Sequence, residues 1–448
     1  MNTGSISARL DRLPASRAVW TRVALLSLGG FFEFYDIFFS GYIAPGLARS
    51  GLLGRGGIAT FIAAMFSGLF IGTALFGFVA DRFGRRFIFT CSLLWYTAAS
   101  IAMAFQHTPF GLNLWRFIGG IGVGVELVTI DTYLAELVPK HLRGRAFGYN
   151  QTIQFSSVPA AALLSWLLVP RAPLGLDGWR WVVLAGAAGA ILVWWVRLRV
   201  PESPRWLAQH GRLAEAEAVL ADLERRIEAE TGKPLPEPAS ADAPVSWGTF
   251  REIWQPPYGR RTAMMVVFNL FQTVGYYGFS NWVPTLLISR GIAVTSSLRY
   301  TFLIAIAAPF GPLLAGQLAD RIERKWLIVL AAFGIAFFGV LFGQFRVVPV
   351  LIALGIMVTV SANVLSFSSH AYQAELYPTR IRALAVGFTY AWSRFSVIFS
   401  SYAIAFFLRD FGVPGVFAFI AGSMGVVMAA IGWMGPRTNN LALEAISR

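Results

Sequence analysis

Charge is scarce in this sequence. Of 448 residues, 13% are Asp, Glu, Lys or Arg and 56% are hydrophobic, for a mean hydropathy of +0.60. A water-soluble domain carries roughly 25% charged residues, so about half of the usual surface charge is missing. A chain this long cannot hide that much apolar surface in a core, and lipid must solvate it. Cysteine is nearly absent as well. The single Cys91 excludes an intrachain disulfide and offers no cysteine cluster for a metal. No G-x-x-x-x-G-K-[ST] run occurs, which argues against direct drive by ATP, and neither a cofactor nor a metal is expected. A cleavable leader is also missing from the pattern. The first apolar stretch is too long and no small-residue cleavage site follows it, so it reads as a retained helix.

What the chain has in excess is positive charge, a net +14. Placement makes it a topological signal rather than a nucleic-acid footprint. Most Lys and Arg gather on one side of the candidate spans: the N-terminal arm, the loops after the second and fourth spans, residues 197–261 and the tail. The other side holds Arg49, Arg55, Arg171, Arg180, Arg290, Arg299, Arg346 and Arg409. The positive-inside rule then predicts a multi-pass inner-membrane protein with both termini cytoplasmic.

A crossing needs about 20 mostly apolar residues. Candidates fall at 22–46, 57–80, 87–106, 112–138, 146–169 and 179–198, then at 262–288, 298–319, 326–343, 348–376, 382–408 and 413–434. Between the two sets, residues 211–230 carry helical periodicity and many charges, and the Pro-rich KPLPEPASADAP (233–244) follows. The expected organisation is a bundle over 1–198, a linker with one or two surface helices over 199–261, and a second bundle over 262–448.

The two sets repeat. GFVADRFGRR (77–86) follows the second span and GQLADRIERK (316–325) the eighth. YLAELVPKHLRG (133–144) follows the fourth and YQAELYPTRIR (372–382) the tenth. Paired motifs in the same relative places mean that one six-span unit was duplicated. These loops resemble the signature loops of the major facilitator superfamily. With PESPRWL (201–207) and RFIGGIGVG (116–124), the first half is similar to the sugar-porter branch. The second half is similar to the organic cation and anion carriers and the synaptic-vesicle-2-like metabolite symporters, on its Glu375-Leu-Tyr-Pro-Thr segment with Arg382. The resemblance implies an all-α membrane protein, with twelve transmembrane helices in two pseudo-symmetric six-helix bundles. It also implies a secondary transporter working by alternating access, and not an enzyme.

Several residues carry the expected chemistry. Asp81, Arg82, Arg85, Arg86, Glu136, Arg143, Glu202, Asp320, Arg321, Glu375 and Arg382 sit at loop ends. They read either as a charge network that gates the cytoplasmic side or as topology signal alone. Glu33 and Asp36, three residues apart on the first span, are neighbours on one helix face. The resemblance gives sugar porters a proton-coupling Asp at the Asp36 position and its Arg partner at Arg116, and a static salt bridge is the alternative. Glu126 could add a second proton site, and Asp131 has no counterpart in the sugar-porter pattern. Arg394 lies mid-span on the eleventh helix, where a charge is a functional-site hypothesis by default. The anion carriers have an Arg there, and its planar fork suits a carboxylate; a structural ion pair is the alternative. On the seventh span Gln272, Tyr276, Tyr277 and Asn281 are candidates to shape the pocket, where only Gln272 remains of the sugar porters' Gln pair. His370 lies near the Trp position of their tenth helix, either packing or titrating. The glycines at 119–124 permit close helix packing.

The resulting expectation is proton-coupled symport of a small organic anion, a monocarboxylate with aromatic ones among the options. The partners are the small-molecule substrate, protons and the lipid bilayer, with no nucleic acid and a monomeric state. The alternatives are a proton-coupled sugar or polyol porter, an organic cation carrier, or a membrane receptor on the same scaffold.

Overall fold

The computed structural model describes residues 3–54, 56–198, 200–238, 248–319 and 321–438; the side chains of 3–5, 75–81, 196, 197, 319, 379 and 383 lie outside the description. Among the described residues the chain is helical throughout, with no strand. Twelve crossings follow one another. Several are single helices: Arg17–Tyr42, Gly57–Phe83, Arg85–Ala104, Pro109–Leu137 and Gly178–Arg197 in the first half. Arg324–Gln344 and Val348–Glu375 are their like in the second.

Three crossings are broken, and proline places each break. The ring clashes with the carbonyl four residues back and removes one helix bond. The fifth span accordingly stops at Phe155, four before Pro159, and resumes as Ser157–Leu168. The seventh stops at Ser280, four before Pro284, and resumes as Val283–Ile288. The eighth stops at Ala305, four before Pro309, and resumes as Phe310–Ala319. The eleventh and twelfth form the run Thr379–Ala429, broken at Gly412, whose φ of 66° and ψ of −165° are open to glycine but strained for other residues. Thr379 and Thr438 both lie at the face that carries the N-terminal helix and the linker, so the chain reverses at Gly412. We call that side the terminal face.

The boundaries differ from the sequence expectation where polar residues continue a helix. The first crossing spans Arg17–Tyr42 rather than 22–46, because Ser16 Oγ caps it by accepting from the Val19 amide at 3.3 Å. The linker holds two α-helices, Pro204–Gln209 and Leu213–Thr231, together with a 3₁₀ stretch, Phe250–Trp254. Residues 239–247, which include the end of the Pro-rich stretch, lie outside the described residues.

On the terminal face an N-terminal helix, Thr3–Asp11, docks on the linker helix Leu213–Thr231. Its Ile6 and Leu10, with Leu13, join Leu220, Leu223 and Ile227 in one apolar cluster. Arg9 donates to Glu217 at 2.7 Å and to Glu224 at 2.5 Å, and Arg12 donates to Glu224 at 2.7 Å. Burial pushes the Glu224 carboxyl up, but the two guanidiniums outweigh it and hold it below the usual carboxylate range. The tie is therefore complete at neutral pH and is lost only as pH falls through that lowered value.

Within the first half the second and fourth spans touch backbone to backbone. A Cβ added at Gly68 would come to 2.0 Å of the Phe117 carbonyl, and one at Gly120 to 2.3 Å of the Met65 carbonyl. The glycine run thus does what small residues do between membrane helices. The halves meet along three seams: second span against eleventh, fifth against eighth, and first against seventh.

Candidate functional site

A cavity opens between the halves. Each wall follows helical arithmetic, since residues three or four apart share a face. The fourth span contributes Leu127 and Asp131, and the fifth Gln151, Gln154 and Phe155. The seventh gives Gln272, Tyr276 and Tyr277; the tenth Ser366, Ser369 and His370; the eleventh Tyr390 and Arg394. Phe34 of the first span completes it. The duplication organises this lining. The register that pairs Tyr133 with Tyr372 and Glu136 with Glu375 also pairs Asp131 with His370, Gln151 with Tyr390, and Phe155 with Arg394. All six of these lining residues face the cavity from matching places in the two halves.

Arg394 is 2% exposed. Its Nη1 donates to the Tyr277 hydroxyl at 2.6 Å and its Nη2 to the Tyr390 hydroxyl at 2.7 Å. The guanidinium carbon also lies 4.8 Å from the centre of the Tyr390 ring, a cation–π contact. Among the described residues no carboxylate comes within ion-pair distance of Arg394, and its buried Nε has no hydrogen-bond partner. The tyrosines are themselves braced: Phe66 packs edge-on against Tyr277 with centroids 4.8 Å apart, and the Tyr276 hydroxyl donates to Asn363 Oδ1 at 3.1 Å. Because an arginine stays charged, the site holds a positive group dressed by neutral hydroxyls.

Four further expected residues line the same cavity: Gln272, Tyr276, Tyr277 and His370. His370 Nδ1 lies 2.6 Å from the Ser366 carbonyl, so that nitrogen carries the hydrogen and donates. Asn281 does not line it. It caps the seventh span's first segment, and its carbonyl sits so near the first span that a Cβ at Gly41 would fall 1.9 Å from it. Its backbone is still helical, and its amide donates to the Tyr277 carbonyl at 3.2 Å, so it stands one turn beyond Tyr277 along the helix. Sequence reading missed Tyr390, Gln151, Gln154, Ser366 and Ser369. The signal was available in the i, i+4 spacing of Tyr390 to Arg394 and in the repeat register.

The second ionic centre lies off this cavity, among the first, third and fourth spans. Arg116 Nη1 donates to Asp36 Oδ2 at 2.7 Å, and Nη2 to the Asp36 carbonyl at 2.5 Å and to the Ser40 hydroxyl. Ser100 donates to Asp36 Oδ1 at 2.9 Å. Phe39 and Phe61 flank the guanidinium, at 4.6 and 5.4 Å. Ser40 and Ser100 were not foreseen. Glu33 and Glu126 are fully buried, and Ser92 donates to Glu126 at 3.4 Å. Asp131, by contrast, is exposed to the cavity.

At the terminal face the expected charge network divides by half. Arg85 donates to Glu136 at 3.0 Å, and Glu202 accepts from the Arg85 and Arg86 amides at 3.1 Å each, satisfying the open end of the third span. Arg324 pairs with Glu375 in the other half. Arg143 and Arg382 donate to the Val138 and Tyr377 carbonyls, equivalent turns in the two repeats. Arg82 rests beside Phe83, and Arg321 is exposed. The Asp81 side chain and Asp320 lie outside the described residues. The two side-chain ion pairs each stay inside one half, and Glu202 joins the linker to the first half.

Comparison with known proteins gives a consistent result. The sequence model of the "Sugar (and other) transporter" family matches residues 23–448. A putative metabolite transport protein of Bacillus subtilis, YyaJ, is 34% identical over 96% of this chain and 95% of its own. The niacin transporter NiaP of Acinetobacter baylyi is 28% identical over 98% and 99%. The 4-hydroxybenzoate transporter PcaK of the same organism is 26% identical over 90% and 88%. Among solved structures, the xylose transporter XylE of E. coli in a partially occluded inward-open conformation superposes with a TM-score of 0.75. It covers 95% of this chain and 100% of that one, at 22% identity, and so supports the twelve-helix fold alone.

Proposed function

Because the chain belongs to the sugar (and other) transporter family of the major facilitator superfamily, and is a multi-pass secondary transporter rather than an enzyme, we propose that its cargo is a small aromatic monocarboxylate carried together with protons. Arg394 carries this reading. Its buried charge has hydroxyl partners and, among the described residues, no carboxylate at ion-pair distance, so an anion entering the cavity meets a preorganised fork. Rings line the approach: Phe34, Phe155, Tyr276, Tyr277 and Tyr390. Niacin and 4-hydroxybenzoate, which name two of the relatives, are both flat rings bearing one carboxylate.

The sugar or polyol alternative draws on Gln151, Gln154 and Gln272, whose amides suit hydroxyls. A neutral polyol, however, would leave the Arg394 charge uncompensated. An organic cation would approach that charge directly. Asp36 with Arg116 is the proton site in this reading, and the halves rock around a cavity near the bilayer midplane. The loop-end charges gate the cytoplasmic side by locking the halves when that side is shut, the pairs within each half being held apart from that lock in this state, and the protein works as a monomer.

The direct test is a thermal-shift panel on purified protein, followed by uptake into proteoliposomes. A ligand at 100 times its dissociation constant stabilises the folded state by about 2.7 kcal/mol. We predict that benzoate-type carboxylates stabilise and are taken up, whereas xylose and choline do neither. Saturable uptake of xylose with no effect of benzoate would overturn the proposal.

The orientation follows from the basic loops: the terminal face is cytoplasmic. Lys233 and Thr295 are both exposed and lie on opposite faces. In a background lacking Cys91, a membrane-impermeant thiol reagent on intact cells should label Thr295→Cys and spare Lys233→Cys. The reverse pattern would invert the topology.

A further inference from the structure

We propose, building on the aromatic-monocarboxylate reading, that Asp131 and His370 form an acceptor end of the cavity that selects carboxylates bearing a hydrogen-bond donor, a hydroxyl or amino group, across the ring from the carboxylate.

The cavity has two chemically opposite ends. At one, Arg394 offers only donors. At the other stand Asp131 on the fourth span and His370 on the tenth, matching positions of the duplicated unit on opposing walls. Asp131 lies near the terminal face, within two turns of the end of its helix at Leu137, and His370 lies within two turns of Glu375. Arg394 is about four turns from the start of its run at Thr379. One Tyr390 ring touches both groups: its centre lies 4.8 Å from the Arg394 guanidinium carbon and 5.2 Å from the centre of the His370 ring, a scale that a para-substituted benzoate matches.

The polar atoms at that end accept. The Asp131 carboxylate is exposed to the cavity and makes no hydrogen bond or ion pair with any described residue. It is therefore neither a structural partner of Arg394 nor a helix tie. His370 spends its Nδ1 hydrogen on the Ser366 carbonyl, which in the neutral ring leaves the Nε2 lone pair as its remaining polar group. The glutamine amides between the ends can donate or accept and favour neither class of ligand. A bare ring pushed against Asp131 strips water from an anion and returns nothing. A ring hydroxyl replaces that water with a charge-assisted hydrogen bond. Sites built this way discriminate strongly against the analogue lacking the donor, because their own polar groups are then left unpaired.

The test compares three probes on the full-length purified protein: benzoate, 4-hydroxybenzoate and 4-methoxybenzoate, which keeps the oxygen and loses the donor. Binding is measured by calorimetry at about pH 6.5, between ordinary carboxyl and phenol ionisation. The wild-type protein should bind 4-hydroxybenzoate at least about tenfold tighter than either other probe. Asp131→Leu should weaken 4-hydroxybenzoate and strengthen benzoate, closing the gap from both sides. Asp131→Asn, closer in shape, should narrow the gap in the same direction and covers the case in which the leucine variant does not fold. Equal affinities in the wild-type protein, or one common factor for all probes in the variants, would overturn this inference and leave the anion site standing. If no aromatic carboxylate binds the wild-type protein, the parent reading fails and this one with it.

Discussion

Replacing Arg394 by glutamine is expected to abolish measurable binding of aromatic monocarboxylates while leaving the protein folded. Removing one member of a desolvated, hydrogen-bonded charge pair costs about 2–5 kcal/mol, which is roughly thirtyfold to several-thousandfold in affinity. The protein itself should tolerate the change. Glutamine takes away a buried charge hydrogen-bonded to the Tyr277 and Tyr390 hydroxyls, and among the described residues no carboxylate at ion-pair distance is orphaned. Arg394→Lys keeps the charge but replaces the planar fork by a point donor, so it should fall between the wild-type protein and the glutamine variant. Tyr390→Phe removes one hydroxyl that aims the fork and should weaken binding by less than Arg394→Lys does. Substrate counterflow in proteoliposomes reads binding and translocation together, and a ligand-induced thermal shift reads binding alone. Unchanged affinity in Arg394→Gln would make the arginine structural and reopen the sugar and cation readings.

The fold was readable because three independent patterns agree. Apolar runs of membrane length, basic loops on one side and motifs repeated in register all specify two six-span units. The structure carries each of them, with the seams between halves where a duplicated bundle would put them. The breaks in the fifth, seventh and eighth spans were harder to read, although the proline rule places all three. A hydropathy window averages over Pro159, Pro284 and Pro309 and reports one apolar run. The site draws on the first segment of the seventh span, with Tyr276 and Tyr277 in the lining and Asn281 one turn beyond it, next to the break.

The site was legible to the extent that a charge in an apolar helix announces itself. Arg394, Arg116 and Asp36 stand out against their surroundings, and the structure joins the latter two at 2.7 Å. Residues that act through hydroxyl or amide groups carry no such mark. Ser40, Ser100, Tyr390, Gln151 and Gln154 are ordinary constituents of membrane helices, and only packing reveals what they touch. Asp131 falls between the two cases. It is visible as a charge, yet without partners in the sequence its use depends on which wall it faces, and the cavity supplies that.

The coupling prediction turns on the electrical balance of transport. One proton moving with one monocarboxylate carries no net charge. The membrane potential, worth about 2.3 kcal/mol per charge per 100 mV, then contributes nothing, and only the pH gradient drives uptake, at about 1.4 kcal/mol per unit. Asp36 has a guanidinium bonded to its carboxylate, and two serines add to the pair. In this reading the proton moves at that pair, as rocking of the halves makes and breaks the Arg116 contact. Glu33 and Glu126 are fully buried nearby, and a second proton on either would make uptake respond to potential. We predict one proton per anion. An inward pH gradient at clamped zero potential should then drive accumulation, and an imposed potential should change it little. Asp36→Asn should accumulate nothing above equilibrium yet keep counterflow exchange, because exchange moves no net proton. Asp36→Asn also leaves the Arg116 charge unbalanced, so lost exchange together with lost stability would point to the static salt bridge instead. Ser100→Ala separates the two further. It keeps the ion pair and removes only the hydrogen bond to Oδ1, so it should shift the pH at which accumulation is half-maximal while leaving stability within about 1 kcal/mol. Accumulation against a gradient by Asp36→Asn would place the coupling proton elsewhere, with Glu33 and Glu126 next to test.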